Sequence, residues 1–169
     1  MLIFIDTEFS DFINTELISI GLVSQDDKKF YAELPVDRRD CSDFVKEAVI
    51  PLLGKIKDSQ CTLKELNVRL RTWLEQFNNV DEPVVICYDY AGDWTLFCYA
   101  LFDEVPPWIR GTNIYAYIND LKQELFFRES GLERHHALHD AMANRFSFVL
   151  ELAELDNALP LATHFPKSR

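Results

Sequence analysis

At 169 residues the chain has the length of one domain, and a domain of this size buries roughly two-thirds or more of the surface its unfolded chain exposes. Apolar residues make up 48% and charged residues 27%, a globular composition that excludes disordered, collagen-like and membrane-embedded classes. The formal net charge of −11 argues against broad electrostatic capture of duplex nucleic acid, which rests on Lys and Arg neutralising phosphates.

The run Leu2-Ile3-Phe4-Ile5 is short, partly β-branched and apolar on both faces, which predicts a central buried strand ending near Asp6-Thr7-Glu8. No basic region precedes it and acids follow at once, so neither a secretory signal nor a transmembrane span is expected. A cytoplasmic protein follows as an expectation. Residues 17–23 and 29–34 flank the polar turn Ser24-Gln25-Asp26-Asp27-Lys28, the pattern of an antiparallel hairpin. Residues 43–50 predict a short helix stopped by Pro51. A longer one starts at Thr62, whose hydroxyl forms a capping box with Glu65. Its apolar positions Leu63, Leu66, Leu70, Trp73, Leu74 and Phe77 repeat at helical spacing and predict a core-facing stripe.

Residues 84–87 (Val-Val-Ile-Cys) predict a second buried strand, and 88–92 turn the chain into a helix over roughly 93–103. A short strand is expected near 114–117, then helical segments near 118–129 and 137–154. An irregular tail over 156–169 contains Pro160 and Pro166. Cys41, Cys61, Cys87 and Cys98 lie far apart without a CxxC pair, which disfavours zinc ribbons and redox dithiols and suits four free thiols in a reducing compartment. Three leading strands followed by helices alternating with two more predict one α/β domain over 1–169, with its core at about 2–155. Its mixed five-stranded sheet would be covered by helices, with the first and fourth strands adjacent.

Asp6 and Glu8 are two residues apart on a strand, so their side chains leave on one face. Close carboxylates repel, and a hard divalent cation such as Mg²⁺ or Mn²⁺ with oxygen ligands removes that penalty. A solvated turn explains the pair equally well. Asp93 falls in the first turn expected after the fourth strand, where it can cap a helix, and Asp89 is a rival acid in the same turn. Asp140 lies near the start of the last helix, within Arg134-His135-His136-Ala137-Leu138-His139-Asp140-Ala141. His135 and His139 have the spacing of a helical zinc pair, for which the only further imidazole outside this run is His164 in the tail. His136 shares a helical face with Asp140, whereas His135 can reach the same place only from the preceding loop.

Asp6-Thr7-Glu8 after an apolar strand, Leu17-Ile18-Ser19-Ile20-Gly21, Asp93 after the 84–87 strand, and His135-x-Ala137-Leu138-x-Asp140-Ala141 together resemble the DEDDh branch of the DnaQ-like exonucleases, over roughly residues 2–150. Within that group the Asp-Thr-Glu-Phe opening, the Glu16-to-Gly21 run and the small size look most similar to the compact exoribonucleases of the RNase AS type, which act on adenylate-containing RNA. The resemblance implies an RNase H-like fold with Asp6, Glu8, Asp93 and Asp140 as ligands of two Mg²⁺ or Mn²⁺ ions. It implies His135 as general base, with Glu8 also in the catalytic set. His136 and His139 fill the motif's variable positions, so residue spacing and resemblance favour different histidines.

The activity implied is 3′-to-5′ hydrolysis of single-stranded RNA 3′ ends or overhangs, releasing nucleoside 5′-monophosphates, by a homodimer. Two divalent ions would bring a local charge of about +4, which offsets the acidity of the chain where a phosphate sits. Phe9, beside the acid pair, is the candidate for stacking on a splayed base. The Thr7 backbone can meet the terminal nucleotide, and Asp89 is a secondary contact. A DNA 3′ exonuclease and a non-catalytic RNase H-like interaction module are the alternatives.

Overall fold

Leu2–Phe9 forms strand β1, Leu17–Ser24 β2, Lys29–Glu33 β3, Val84–Tyr88 β4 and Ile109–Asn113 β5. The computed structural model describes residues 1–79 and 83–159. The strands make one sheet of order β3-β2-β1-β4-β5. The first three pair antiparallel, and β4 runs parallel to both β1 and β5. This is the mixed five-stranded sheet the sequence predicts, with β1 and β4 side by side.

Alternation along β1 assigns its two faces. Ile3 and Ile5 join Leu66, Leu70, Leu74 and Phe97 in one core cluster, whereas Phe4 joins Val23, Val85 and Ala141 in another. The first cluster is closed by α2 (Leu63–Glu75) and α3 (Ala91–Ala100), the second by α5 (Ala137–Ser147). Between them, α1 (Asp43–Ala48) precedes α2, α4 (Asp120–Ser130) precedes α5, and α6 (Leu150–Leu155) follows. The predicted capping box forms at α2, with Thr62 N–H donating to Glu65 Oε2 at 2.7 Å and Glu65 N–H donating to Thr62 Oγ1 at 3.3 Å. Leu66, Leu70 and Leu74 of its stripe are fully buried, each contributing about 1.5–3 kcal/mol of apolar transfer free energy.

β1 ends at Phe9, close to its expected end, with Asp6, Thr7 and Glu8 paired opposite Gly21, Ile20 and Ser19 of β2. On its other side, β1 pairs with β4 only over Leu2 to Phe4. The acid pair therefore sits on a strand with one neighbour, where the sheet opens beside the turn into α3.

Three expected elements are corrected. The fifth strand lies at Ile109–Asn113, not near 114–117, where Tyr115–Tyr117 forms a 3-10 turn instead. Only Ile109 of that edge strand is buried, so the apolar signal is missing, and Gly111 takes its place beneath the Trp94 ring, 2.7 Å from where a Cβ would stand. The helix expected over 137–154 is two, because Phe148 is extended and bridges Ile118 while Val149 N–H donates to the Tyr117 carbonyl. The helix expected over 43–50 ends at Ala48, and Pro51 lies inside a 3-10 turn, Ile50–Leu52, that follows it. Residues 160–169 of the expected irregular tail, including Pro160, His164 and Pro166, lie outside the described residues. Among the described residues no helix is long and apolar enough to cross a membrane.

Candidate functional site

Strand alternation carries Asp6 and Glu8 onto the face of Phe4, toward α5, and Thr7 onto the face of Ile3 and Ile5, toward α3. Each helix presents an acid there from its first turn, Asp140 from α5 and Asp93 from α3. The α5 N-terminus reaches the sheet because Gly21 of β2 has no side chain: a Cβ there would collide with the backbone of Ala137 and Leu138. Asp93 is buried, and its Oδ1 accepts both the Thr7 amide at 3.1 Å and the Thr7 hydroxyl at 2.6 Å. Its Oδ2 is buried with no protein partner.

Ligand atoms of Asp6, Asp89 and Asp93 lie within 4.8 Å of one another, and so do those of Asp6, Glu8 and Asp140. Asp6 belongs to both groups. All five acids, together with Thr7, Phe9 and His135, border one cleft of about 260 Å³. Asp6, Thr7, Glu8, Phe9, Asp89, Asp93, His135 and Asp140 are thus brought to one place. Asp89, ranked behind Asp93 from the sequence, stands beside it in the cluster. Thr7 commits its amide and hydroxyl protons to Asp93.

The histidines separate. His135 borders the cleft from the loop before α5, with its backbone in the left-handed region at φ 62° and the Phe44 ring edge-on at 4.9 Å. His136, favoured by spacing alone, is buried away from it, stacked between Tyr31 at 4.5 Å and His139 at 4.0 Å. His139 Nδ1 lies 3.0 Å from the Glu133 carbonyl oxygen. Among the described residues the groups able to hold a metal are composed of carboxylates and include neither His135 nor His139.

The sequence reading missed Tyr90, Gln123 and Asn144 in the cleft wall. Asn144 donates to Asp89 Oδ1 at 3.0 Å, and Gln123 donates to Asn144 Oδ1 at 2.9 Å, a relay from α4 through α5 to the acids. Its available signal was the position of Asn144, one helical turn after Asp140 on the same face. Phe9 and Tyr90, stacked at 6.1 Å between centroids, also border a larger, mainly apolar cavity of about 730 Å³ next to the acids.

Burial, reinforced by the neighbouring acids, raises Asp6 well above the usual carboxylate range and pushes Glu8 up to about 8. Burial likewise raises Asp93 to about 7 against the opposing Thr7 hydrogen bonds, and Asp140 to about 6 against backbone hydrogen bonds from His136 and His135. Asp89 is raised by burial too. Burial and then Arg134 lower His135, and burial with His139 lowers His136 to about 4. Such a cluster holds protons near neutral pH until cations replace them. An all-oxygen donor set, shared carboxylates and the orphaned Asp93 Oδ2 fit hard divalent cations.

Solved structures share this architecture. The nuclease domain of 3′hExo, a DEDDh family member, bound to rAMP, is similar with a TM-score of 0.57 and 12% sequence identity, over 93% of this chain and 92% of that one. A 3′-exonuclease in a structure of 3′-end specific recognition of a histone mRNA stem-loop is similar with a TM-score of 0.59 and 12% identity, over 93% of this chain and 64% of that one. A full-length 3′-exonuclease gives 0.55 and 12%, over 93% and 61% respectively. No protein-family model and no curated protein matches the sequence. The chain therefore has the RNase H-like fold of exonuclease nuclease domains.

Proposed function

We propose that this chain is a metal-dependent 3′-to-5′ exoribonuclease of the DEDDh type, acting on the 3′ ends of single-stranded RNA or 3′ overhangs with a preference for adenylate. The observation that carries the reading is the pair of carboxylate groups joined at Asp6, with His135 bordering the same cleft. Asp6, Glu8, Asp93 and Asp140 would hold two Mg²⁺ or Mn²⁺ ions, with Asp89 beside them. Bound there, the ions would lower the pKa of water toward about 7 and stabilise the attacking and leaving oxygens of the phosphodiester.

The chain's own residues supply the rest. Thr7 fixes the Asp93 carboxylate by two hydrogen bonds, leaving Oδ2 free as a ligand. Asn144, held by Gln123, orients Asp89 in the same way. His135, whose pKa is lowered by burial, is neutral at physiological pH and so able to take the proton of the attacking water, help typically worth about 10² to 10⁴ in rate. Glu8 joins the catalytic set from the same strand face. The terminal base would stack against Phe9 and Tyr90, which border both the acid cleft and the apolar cavity. The product is a nucleoside 5′-monophosphate. Four free thiols suit a reducing cytoplasm, and a homodimer is the proposed assembly.

The test is incubation of the protein with 5′-labelled single-stranded RNA, with and without Mg²⁺, beside a DNA strand of the same sequence. A ladder shortening from the 3′ end only with RNA and metal is the expected result. Equal degradation of DNA would replace RNA specificity by a general 3′ exonuclease, and binding without mononucleotide release would make the chain a non-catalytic module. Oligoadenylate against oligouridylate reads the base preference.

A further inference from the structure

The general base proposed above sits on an unfavourable stretch of backbone. His135 has φ 62°, a left-handed conformation that costs a residue with a Cβ free energy and persists only where its surroundings over-determine it. Those surroundings are on both sides. Before it, Arg134 pairs with Glu124 Oε1 at 2.7 Å and lays its guanidinium over the Phe127 ring at 4.3 Å, both on α4. After it, the His136 ring is clamped between Tyr31 of β3 and His139 of α5, nearly parallel to each at 23° and 15°. The His136 ring is buried and its Nδ1 has no hydrogen-bond partner, so packing rather than hydrogen bonding by that atom holds it. The His136 amide meanwhile donates to Asp140 Oδ2 at 3.0 Å.

Resting on the exonuclease reading, we propose that His136 is a positioning residue: its ring, locked in a three-ring stack with Tyr31 and His139, holds His135 in its left-handed conformation at the cleft. The stack ties three parts of the fold together. Tyr31 is opposite Gly21 in the β2–β3 ladder, and Gly21 is where the α5 N-terminus touches the sheet. Tyr31 is fixed in turn by its hydroxyl, which donates to the buried Glu33 at 3.0 Å. The loop before α5 is thereby pinned to the sheet beside the acids. A misplacement of about 1 Å at a reacting group can cost about 10²-fold in rate, so loosening the stack acts on turnover more than on binding.

The test compares full-length wild type with His136→Ala, His136→Phe and His139→Ala on the same RNA. His136→Ala is expected to lower kcat by about 10²-fold with KM nearly unchanged. His136→Phe, which keeps a stacking ring and has no titratable nitrogen, is expected to recover most of kcat with an unaltered acidic limb in the pH–rate profile. The partly exposed His139→Ala tests the stack if His136→Ala fails to fold, and a loss of about tenfold in kcat is expected. The histidine ring resonances by NMR give a readout independent of turnover: the His135 Cε1–Hε1 signal should move in His136→Ala and stay in place in His136→Phe. Full kcat in both alanine variants, or His136→Phe as impaired as His136→Ala, would overturn the proposal. Wild-type protein inert toward RNA would remove the exonuclease reading instead, while the NMR comparison would still decide whether the stack sets the conformation of His135.

Discussion

Asp93 is the most constrained side chain of the cluster, buried with one oxygen held by two donors from Thr7 and the other without a partner. Thr7→Val removes the hydroxyl donor and leaves the amide. Unfolding in urea should report a loss of about 1–2 kcal/mol, and Mn²⁺ should bind more weakly because the carboxylate is free to rotate. Asp140→Asn and His135→Ala should abolish or cut hydrolysis by about 10² or more while far-UV circular dichroism stays unchanged, since neither side chain belongs to a core cluster. Full turnover by purified His135→Ala would remove it as the base. Asp140→Asn carries a second expectation. It removes a carboxyl whose pKa is raised to about 6 by burial, so the metal-free variant should melt above the metal-free wild type near pH 8.

Between elements, the decisive contact is that of α5 with the sheet. Asp140 and the loop carrying His135 reach the acids of β1 only because Gly21 lets the backbone at Ala137 and Leu138 lie directly on β2. Gly21→Ala puts a methyl group into backbone that cannot turn aside as a side chain would. The helix must shift, at about 1–3 kcal/mol of stability, and turnover should fall even though no proposed ligand is touched. Thermal denaturation and initial rates on RNA check both halves, and a variant with wild-type values in each would show that α5 does not rest there. The same logic explains why β1 can carry acids at all. Its ladder to β4 stops at Phe4, so Asp6 and Glu8 lie beyond the doubly covered part of the sheet.

Across the whole molecule, a net charge of −11 and a cluster of partly buried acids around the buried Asp93 make stability depend on protons and cations together. In the metal-free native state Asp140, Asp93 and Glu8 hold their protons up to about 6, 7 and 8, whereas the unfolded chain releases them near the ordinary carboxylate values of about 4. Between those limits the native state binds more protons than the unfolded state, so stability falls as pH rises. The melting temperature without metal should therefore drop from about pH 5 to about pH 8. Saturating Mg²⁺ or Mn²⁺, bound only by the folded protein, should reverse the drop with the largest gain at the alkaline end. Differential scanning fluorimetry over that range, with and without metal, reads both slopes. A metal-free melting temperature that rises steadily with pH would contradict the protonation described.

What the sequence determined by itself was local. The apolar run of β1, the β2–β3 hairpin, the Thr62 and Glu65 capping box and the stripe beneath α2 follow from periodicities of two and 3.6, which record burial in the order of residues. The shared face of Asp6 and Glu8 is a consequence of the same alternation, whereas spacing alone favours His136 and only the resemblance carried by His135-x-Ala137-Leu138-x-Asp140 points to His135. Tertiary structure decided what depends on partners distant along the chain. Phe148 meeting Ile118 divides the last helical region, and pairing with β4 makes a strand of a polar segment around Gly111. Asp89 joins Asp6 across two strand ends, and the clamp of Tyr31 on His136 turns His135, not its neighbour, toward the acids. A histidine's spacing sets which directions its side chain can take in a helix, but the left-handed backbone at residue 135 precedes the helix, and only packing on both sides of it could select that conformation.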